Sequence, residues 1–427
     1  MPDPTTERAE LLRQPSVRWM MSGAFISNLG DQFTLIALPW LVLTTTGDAL
    51  KMGLIIALSS VPRAVFILLG GAMVDRYSPK TVLMLTKYVN TVLLGILTAL
   101  VLLGQASLPA ICALALGIGL ASAFSVPSGT SMLPHVVAPH ALAQANAVMM
   151  SIRQLTMLAG PLLTALLLGV FGDGSAGGPG GARGLGFAFG FDCLSFAVSA
   201  WTLSKVALMP RPPAAAPAPV FEAVRQGLAT VWNDVALRTL MLYWAACAFV
   251  VGGIMQVAMP VLADTRLAGG AALGLTLGAH GAGTLLGMLL SGMLGKFRIG
   301  NLGTTLLLID AALGLVLLPI GLVQATWQAM LLMLPAGMLA GFMQVAVFSW
   351  IQQRVPRAMI GRAMSIFMFI FLGVAPLAAA LAGLLLNYVS LEEMFAGGGL
   401  FLLCAAGAAF LLTPIRTISD TPLPAER

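Results

Sequence analysis

The sequence predicts an all-α membrane protein, twelve transmembrane helices arranged as two bundles of six. Three observations predict it. The first is composition: 59% of the 427 residues are hydrophobic and 9% are charged, whereas a soluble domain carries about 25% charged residues. So little polar surface cannot wrap so much apolar chain in water, so lipid is the solvent for much of it. The second is length: a span needs about 20 apolar residues, and stretches of that kind recur along the chain. The third is a repeat. Ala37 to Gly71 falls without a gap on Ala258 to Gly292, so that Ala37 meets Ala258, Pro39 meets Pro260, Gly53 meets Gly274 and Gly71 meets Gly292. Duplicated halves built from apolar spans are common in secondary transporters, whose substrate site lies between the repeats.

The twelve spans run at about 19–45, 52–74, 81–104, 108–127, 141–171, 185–208, 238–263, 271–295, 301–323, 327–352, 358–388 and 394–413. Gly and Pro recur within them, as membrane helices permit, and their Ser, Gly and Ala content suits close helix packing. The first bundle takes residues 1–208 and the second 237–427. Between them, residues 209–236 form a cytoplasmic linker. It opens on a stretch holding Pro210, Pro212, Pro213, Pro217 and Pro219, and continues as a short amphipathic helix with Phe221, Val224, Leu228 and Val231 on one face.

With the N-terminus inside, seventeen of the 22 Lys and Arg residues, Lys87 among them, fall on the cytoplasmic side. Lys51, Arg183 and Arg266 fall outside, and Arg63 and Arg153 lie within spans. This asymmetry places both termini in the cytoplasm of a multi-pass protein of the cell (inner) membrane. The net charge of +6 is scattered between apolar spans and does not indicate nucleic acid. The apolar run after the polar start is too long for a signal h-region and shows no cleavage site, so no cleaved leader is expected. Cys112, Cys193, Cys247 and Cys404 each sit in a different span, unpaired and not spaced for metal. No metal and no cofactor is expected. The chain lacks H-E-x-x-H, G-x-S-x-G and Walker motifs, so it is not read as an enzyme or as driven by ATP. The Gly-rich run 172–184 lacks the Lys-Ser/Thr ending of a phosphate loop.

After span two stand Gly71, Asp75, Arg76 and Lys80, a Gly followed after three residues by Asp-Arg and then a base. This resembles the signature loop of the major facilitator superfamily, with Ser78 where the family usually has Gly. The resemblance implies a cytoplasmic gate in which Asp75 meets the start of span eleven near Arg357 and Ala358. A carboxylate suits a helix N-terminus. The second copy is decayed, with Lys296 and Phe297 in place of the acid and the Arg. In span five, Gly160-Pro161 resembles the core of the superfamily's antiporter motif, and Pro161 kinks the helix. Gly30-Asp31 with Ala37 to Trp40, and Leu133-Pro134 with Ala145-Asn146, resemble the branch of enterobactin and macrolide exporters.

Ionisable side chains inside a membrane are costly and face a partner or a cavity. Asn28, Asp31 and Gln32 share one face of span one, which the resemblance places at the central cavity. Arg153 and Met157 share a face of span five, and Arg153 is the expected basic neighbour of Asp31. Asp192 and Asp310 lie in spans that the resemblance makes peripheral and are read as bracing. In the second half Gln256, Met259, His280, Gln344, Phe348 and Met368 complete the expected cavity, whose Met and Phe suit bulky apolar ligands. The expected function is proton-coupled export of an amphipathic small molecule, drug- or siderophore-like, by alternating access. The partners are then substrate, protons and membrane lipid, with the chain a monomer. The alternatives are a proton-coupled importer, a lipid or lysolipid transporter, and a non-transporting sensor.

Overall fold

A computed structural model describes residues 13–76, 78–138, 141–174, 183–209, 225, 228–229, 231–267, 269–294, 298–355 and 360–418. Its helices are α1 (Pro15–Thr46), α2 (Ala49–Arg76), α3 (Pro79–Leu102), α4 (Leu108–Val136), α5 (Leu142–Phe171) and α6 (Arg183–Ser204). The second set is α7 (Val235–Arg266), α8 (Gly270–Leu294), α9 (Leu302–Leu317), α10 (Thr326–Arg354), α11 (Ile360–Leu385) and α12 (Leu391–Leu412). No strand occurs among the described residues. Ten of these helices are long and apolar enough to cross a membrane on their described residues; α2 and α11 are the other two. The side chains of Gly71, Asp75, Arg76 and Met368 lie outside the described residues, as do Arg357, Ala358 and most of the linker.

Local chemistry sets the helix ends. α1 starts on a proline, whose missing N–H is no loss in a first turn. It stops at Gly47, which turns left-handed at φ 61° and returns its N–H to Leu43 O at 2.7 Å. Asp234 caps α7 through the N–H groups of Ala236 and Leu237 at 2.9 and 3.2 Å. Ser390 and Glu393 close a capping box on α12.

The helices fall into two compact units. The first holds α1, α3–α6 and α2 from Leu58 onward; the second holds α7–α12 together with Asp48–Ala57, the first turns of α2. In the first unit α6 packs against both α1 and α3. Gly23, Ser27, Gly30 and Thr34 are all buried on the face that α1 gives to α6. A Cβ at Gly30 would stand 2.2 Å from Ser195 Oγ and 2.4 Å from Asp192 Oδ1, so only glycine lets these two helices meet here. In the second unit α8 and α10 dovetail in the same manner. A Cβ at Gly287 would stand 1.9 Å from Met338 O.

Among the described residues, the seventh span carries a π turn. Within α7, Ile254–Ala258 forms a π turn, in which Met259 N–H reaches back five residues to Ile254 O. Pro260 follows directly and has no N–H to give. Met255 O therefore loses its α-helical donor to Ile254, and its π-helical donor is a proline. Wide turns of this kind are frequent at functional sites.

Candidate functional site

The first unit presents a polar face on α1. Asp31 is exposed midway along the helix, and Asn28 and Gln32 are partly buried beside it. α5 approaches at Gly160, where a Cβ would stand 2.3 Å from Gln32 Cβ. Pro161 lies inside α5 as the sequence implied. Arg153 is exposed on that helix, and Met157 is 45% exposed.

The sequence expects Arg153 as the basic neighbour of Asp31. Lys87 and Arg63 are the cations that act on it. Arg153 acts on Arg63, as a like charge. Lys87, read from the sequence as a cytoplasmic residue, is inside α3 and 7% exposed. Its ammonium donates to Ser27 Oγ on α1 at 2.5 Å and stands 4.7 Å above the Phe196 ring on α6. Asp192 on α6 is 1% exposed and feels both Asp31 and Lys87. Thr34 Oγ1 donates to its Oδ2 at 2.5 Å, while the Ser195 hydroxyl is shared between the Asp192 main-chain oxygen at 2.7 Å and Oδ1 at 3.1 Å. Asn90, also 1% exposed, lies one turn from Lys87, and its Oδ1 has no hydrogen-bond partner among the described residues. Sequence reasoning missed this interior cluster. The available signal was the polar run Thr86, Lys87, Asn90 and Thr91 at helical spacing in an otherwise apolar span.

In the second unit Gln256 lies in the π turn and is partly buried, as are His280 on α8 and Gln344 and Phe348 on α10. Met259 does not join them, because it is fully buried at 0% exposure. The wide turn inserts a residue, and at about 100° per residue this rotates the helix that follows out of the register expected from the sequence. His280 Nδ1 has no hydrogen-bond partner among the described residues. Asp310 on α9 is 1% exposed, lies beside Tyr243 and Cys247 of α7, and leaves its Oδ2 unpartnered among the described residues.

Of the expected gate residues, Lys80 is described. It donates to Ser204 O and Val206 O, at 3.2 and 2.7 Å, and so covers the carbonyl end of α6. Among the described residues no group of His, Cys, Asp or Glu has the spacing of a metal site.

The chain is 26% identical over 419 residues to the uncharacterized MFS-type transporter y4rN of Sinorhizobium fredii (strain NBRC 101917 / NGR234), covering 95% of this chain and 97% of that one. It is 27% identical over 228 residues to the multidrug efflux pump Tap of Mycolicibacterium fortuitum, covering 52% of this chain and 53% of the pump. Its fold is similar to that of a D-xylose–proton symporter, with TM-score 0.71 at 13% identity over 95% of this chain and 100% of the other. It is also similar to that of the nucleoside transporter NupG, with TM-score 0.66 at 12% identity over 93% and 98%. Residues 20–376 match the sequence model of the Major Facilitator Superfamily, and the chain belongs to that family.

Proposed function

We propose that this transporter is a proton-coupled exporter of amphipathic, cationic or neutral small molecules, working by alternating access. The observation that carries the reading is Asp31, an exposed carboxylate halfway along a membrane helix, facing Lys87 and Arg63. Such a group is costly in a membrane unless it exchanges protons or meets a charged ligand. Lys87 and Arg63 are the cations bearing on it, so a proton or a cationic ligand arriving at Asp31 changes the balance of charge among the three. The partial similarity to a multidrug efflux pump supports export over import. The second half offers the Gln256, Gln344 and Phe348 side chains for a large, weakly polar ligand, and Asp75 with Arg76 is assigned to the gate by the motif alone.

The test is transport of tetraphenylphosphonium and ethidium in proteoliposomes with an imposed pH gradient. Asp31→Asn is expected to lower gradient-driven accumulation at least about tenfold, the effect of losing one charge contact of about 1.4 kcal/mol. Exchange of probe at equal pH should persist. Full gradient-driven accumulation by Asp31→Asn would remove Asp31 from coupling.

A further inference from the structure

The proton-coupled reading leaves open where a proton resides once it has left water. Asp31 is exposed, so it can exchange with water but does not store a proton away from it. Behind it lies an acid that is sealed. Asp192 is buried among α1, α3 and α6, and its oxygens accept from Thr34 and Ser195. No ion pair within 4 Å closes on it among the described residues, and the negative charge of Asp31 acts on it. The Ser195 hydroxyl has one proton and shares it with the main-chain oxygen of Asp192 at 2.7 Å, so Thr34 gives the carboxylate its one undivided bond. An ionised carboxylate held so thinly in such a place is unfavourable, and protonation removes the penalty.

Lys87 decides how far. Its ammonium is shared electrostatically between Asp31 and Asp192 but bonded to neither; it is bonded to Ser27 and stacked on Phe196. α1 contributes one further ionisable side chain besides Asp31, namely Arg18, sixteen positions before Thr34. Lys80 of α3 is engaged at the far end of α6, and Tyr88 is exposed. Arg153, the ionisable side chain of α5, acts on Arg63. Cys193 of α6 neighbours Asp192 but donates its thiol to Thr91 O. The charges bearing directly on Asp192 are therefore Asp31 and Lys87.

We propose that Asp192 is a proton-binding site inside the first bundle, loaded from Asp31 and held in balance by Lys87. On loading, the O–H bond at Asp31 breaks and one forms at Asp192. Asp31 is left as a carboxylate facing Arg63 and Lys87, and the net charge of the cluster is unchanged. Thr34 serves both states, donating to the carboxylate and accepting from the carboxylic acid. Ser27 and Thr34 lie two turns apart on the face of α1 that carries Gly30, so the protonation of Asp192 acts on the seam that fixes α1 to α3 and α6. This deepens the proton-coupled reading and rests on it for its role in transport, but the site itself is tested without any substrate.

The experiment is a pH-difference infrared spectrum of the purified full-length protein in detergent. The wild type should show a carboxylic C=O band that titrates. Asp192→Asn should remove that band, and Lys87→Met should raise its midpoint by at least one pH unit. Thr34→Val, close in shape, and Thr34→Ser, which keeps the hydroxyl, form a pair: Val should shift the band to higher wavenumber through loss of a hydrogen bond, and Ser should leave it in place. After a pH jump, Asp31→Asn should slow its appearance at least tenfold. A spectrum unchanged in Asp192→Asn, or unshifted in Thr34→Val, overturns the proposal. A titrating Asp192 band in a protein that no pH gradient drives supports this site and removes the coupled-export reading instead.

Discussion

Gly30 shows how much a single residue decides in this chain. It stands beside Asp31 in sequence, about 100° round the helix from it, and a Cβ there would run into Ser195 and Asp192. Overpacking a tight contact costs about 1–3 kcal/mol, whereas an alanine in open space on a helix gains about 0.5–1 kcal/mol over glycine. Gly129, in α4, has nothing within 4 Å of where a Cβ would be. Gly30→Ala is therefore expected to lower the melting temperature in detergent, and Gly129→Ala to raise it or leave it alone. Equal melting temperatures for the two variants would show that the α1–α6 seam is looser than drawn. The same scale shows where sequence reading stops. Asn28, Asp31 and Gln32 share a face by spacing alone, and the sequence shows it. That Lys87 belongs inside the membrane is less legible, because a lysine early in a span ordinarily reaches back to the interface along its apolar stem. The Ser27 hydroxyl, the Phe196 ring and the opposite charges of Asp31 and Asp192, all on other helices, make the interior position tenable.

At the scale of elements, α7 is fastened at both ends and loosened in the middle. Arg354 at the end of α10 grips Asp234, with Nε to Oδ2 at 2.7 Å and a second bond at 3.1 Å, while Asp234 caps α7. At the other end Arg266 pairs with Glu392 and donates to Gly321 O at 2.6 Å. Between these clamps runs the π turn with its released Met255 carbonyl. The proline was visible in the repeat, but the clamps were not, since Asp234 and Arg354 are 120 residues apart. Asp234 supplies a pH prediction. Burial raises its carboxyl, but the Arg354 bonds and the capped N–H groups outweigh that and hold it below its ordinary value. A folded pKa below the unfolded value of about 3.9 stabilises the protein above that pH, and the contribution fades as pH falls through the folded value. Asp234→Ala should cost about 1–3 kcal/mol at neutral pH, from a lost cap and a lost charged hydrogen bond. The gap in melting temperature between wild type and variant should then hold from pH 6 to about 4 and narrow as pH falls further, below the unfolded value. A gap that is constant with pH would assign the loss to packing.

At the scale of the whole molecule, composition and repetition made the all-α, twelve-helix organisation legible, because lipid forces every span to satisfy its own backbone. Orientation rests on a different quantity, the asymmetry of charge at the helix ends. Removing Lys87 from that count, since it lies within α3 and not at an end, leaves a strong excess of basic residues on one side. An even number of spans would return both termini to that same side, which the charge rule predicts to be the cytoplasm. The exposed turn after α3 and the exposed segment after α12 then face opposite compartments. In a background lacking Cys112, Cys193, Cys247 and Cys404, Gln105→Cys should react with a membrane-impermeant maleimide in intact cells. Thr417→Cys should react only after permeabilisation. The reverse pattern would invert every loop, turn export by the same motion into import, and put the Asp234–Arg354 clamp on the outer face. Its pH dependence would then be read against the medium instead of the cytoplasm.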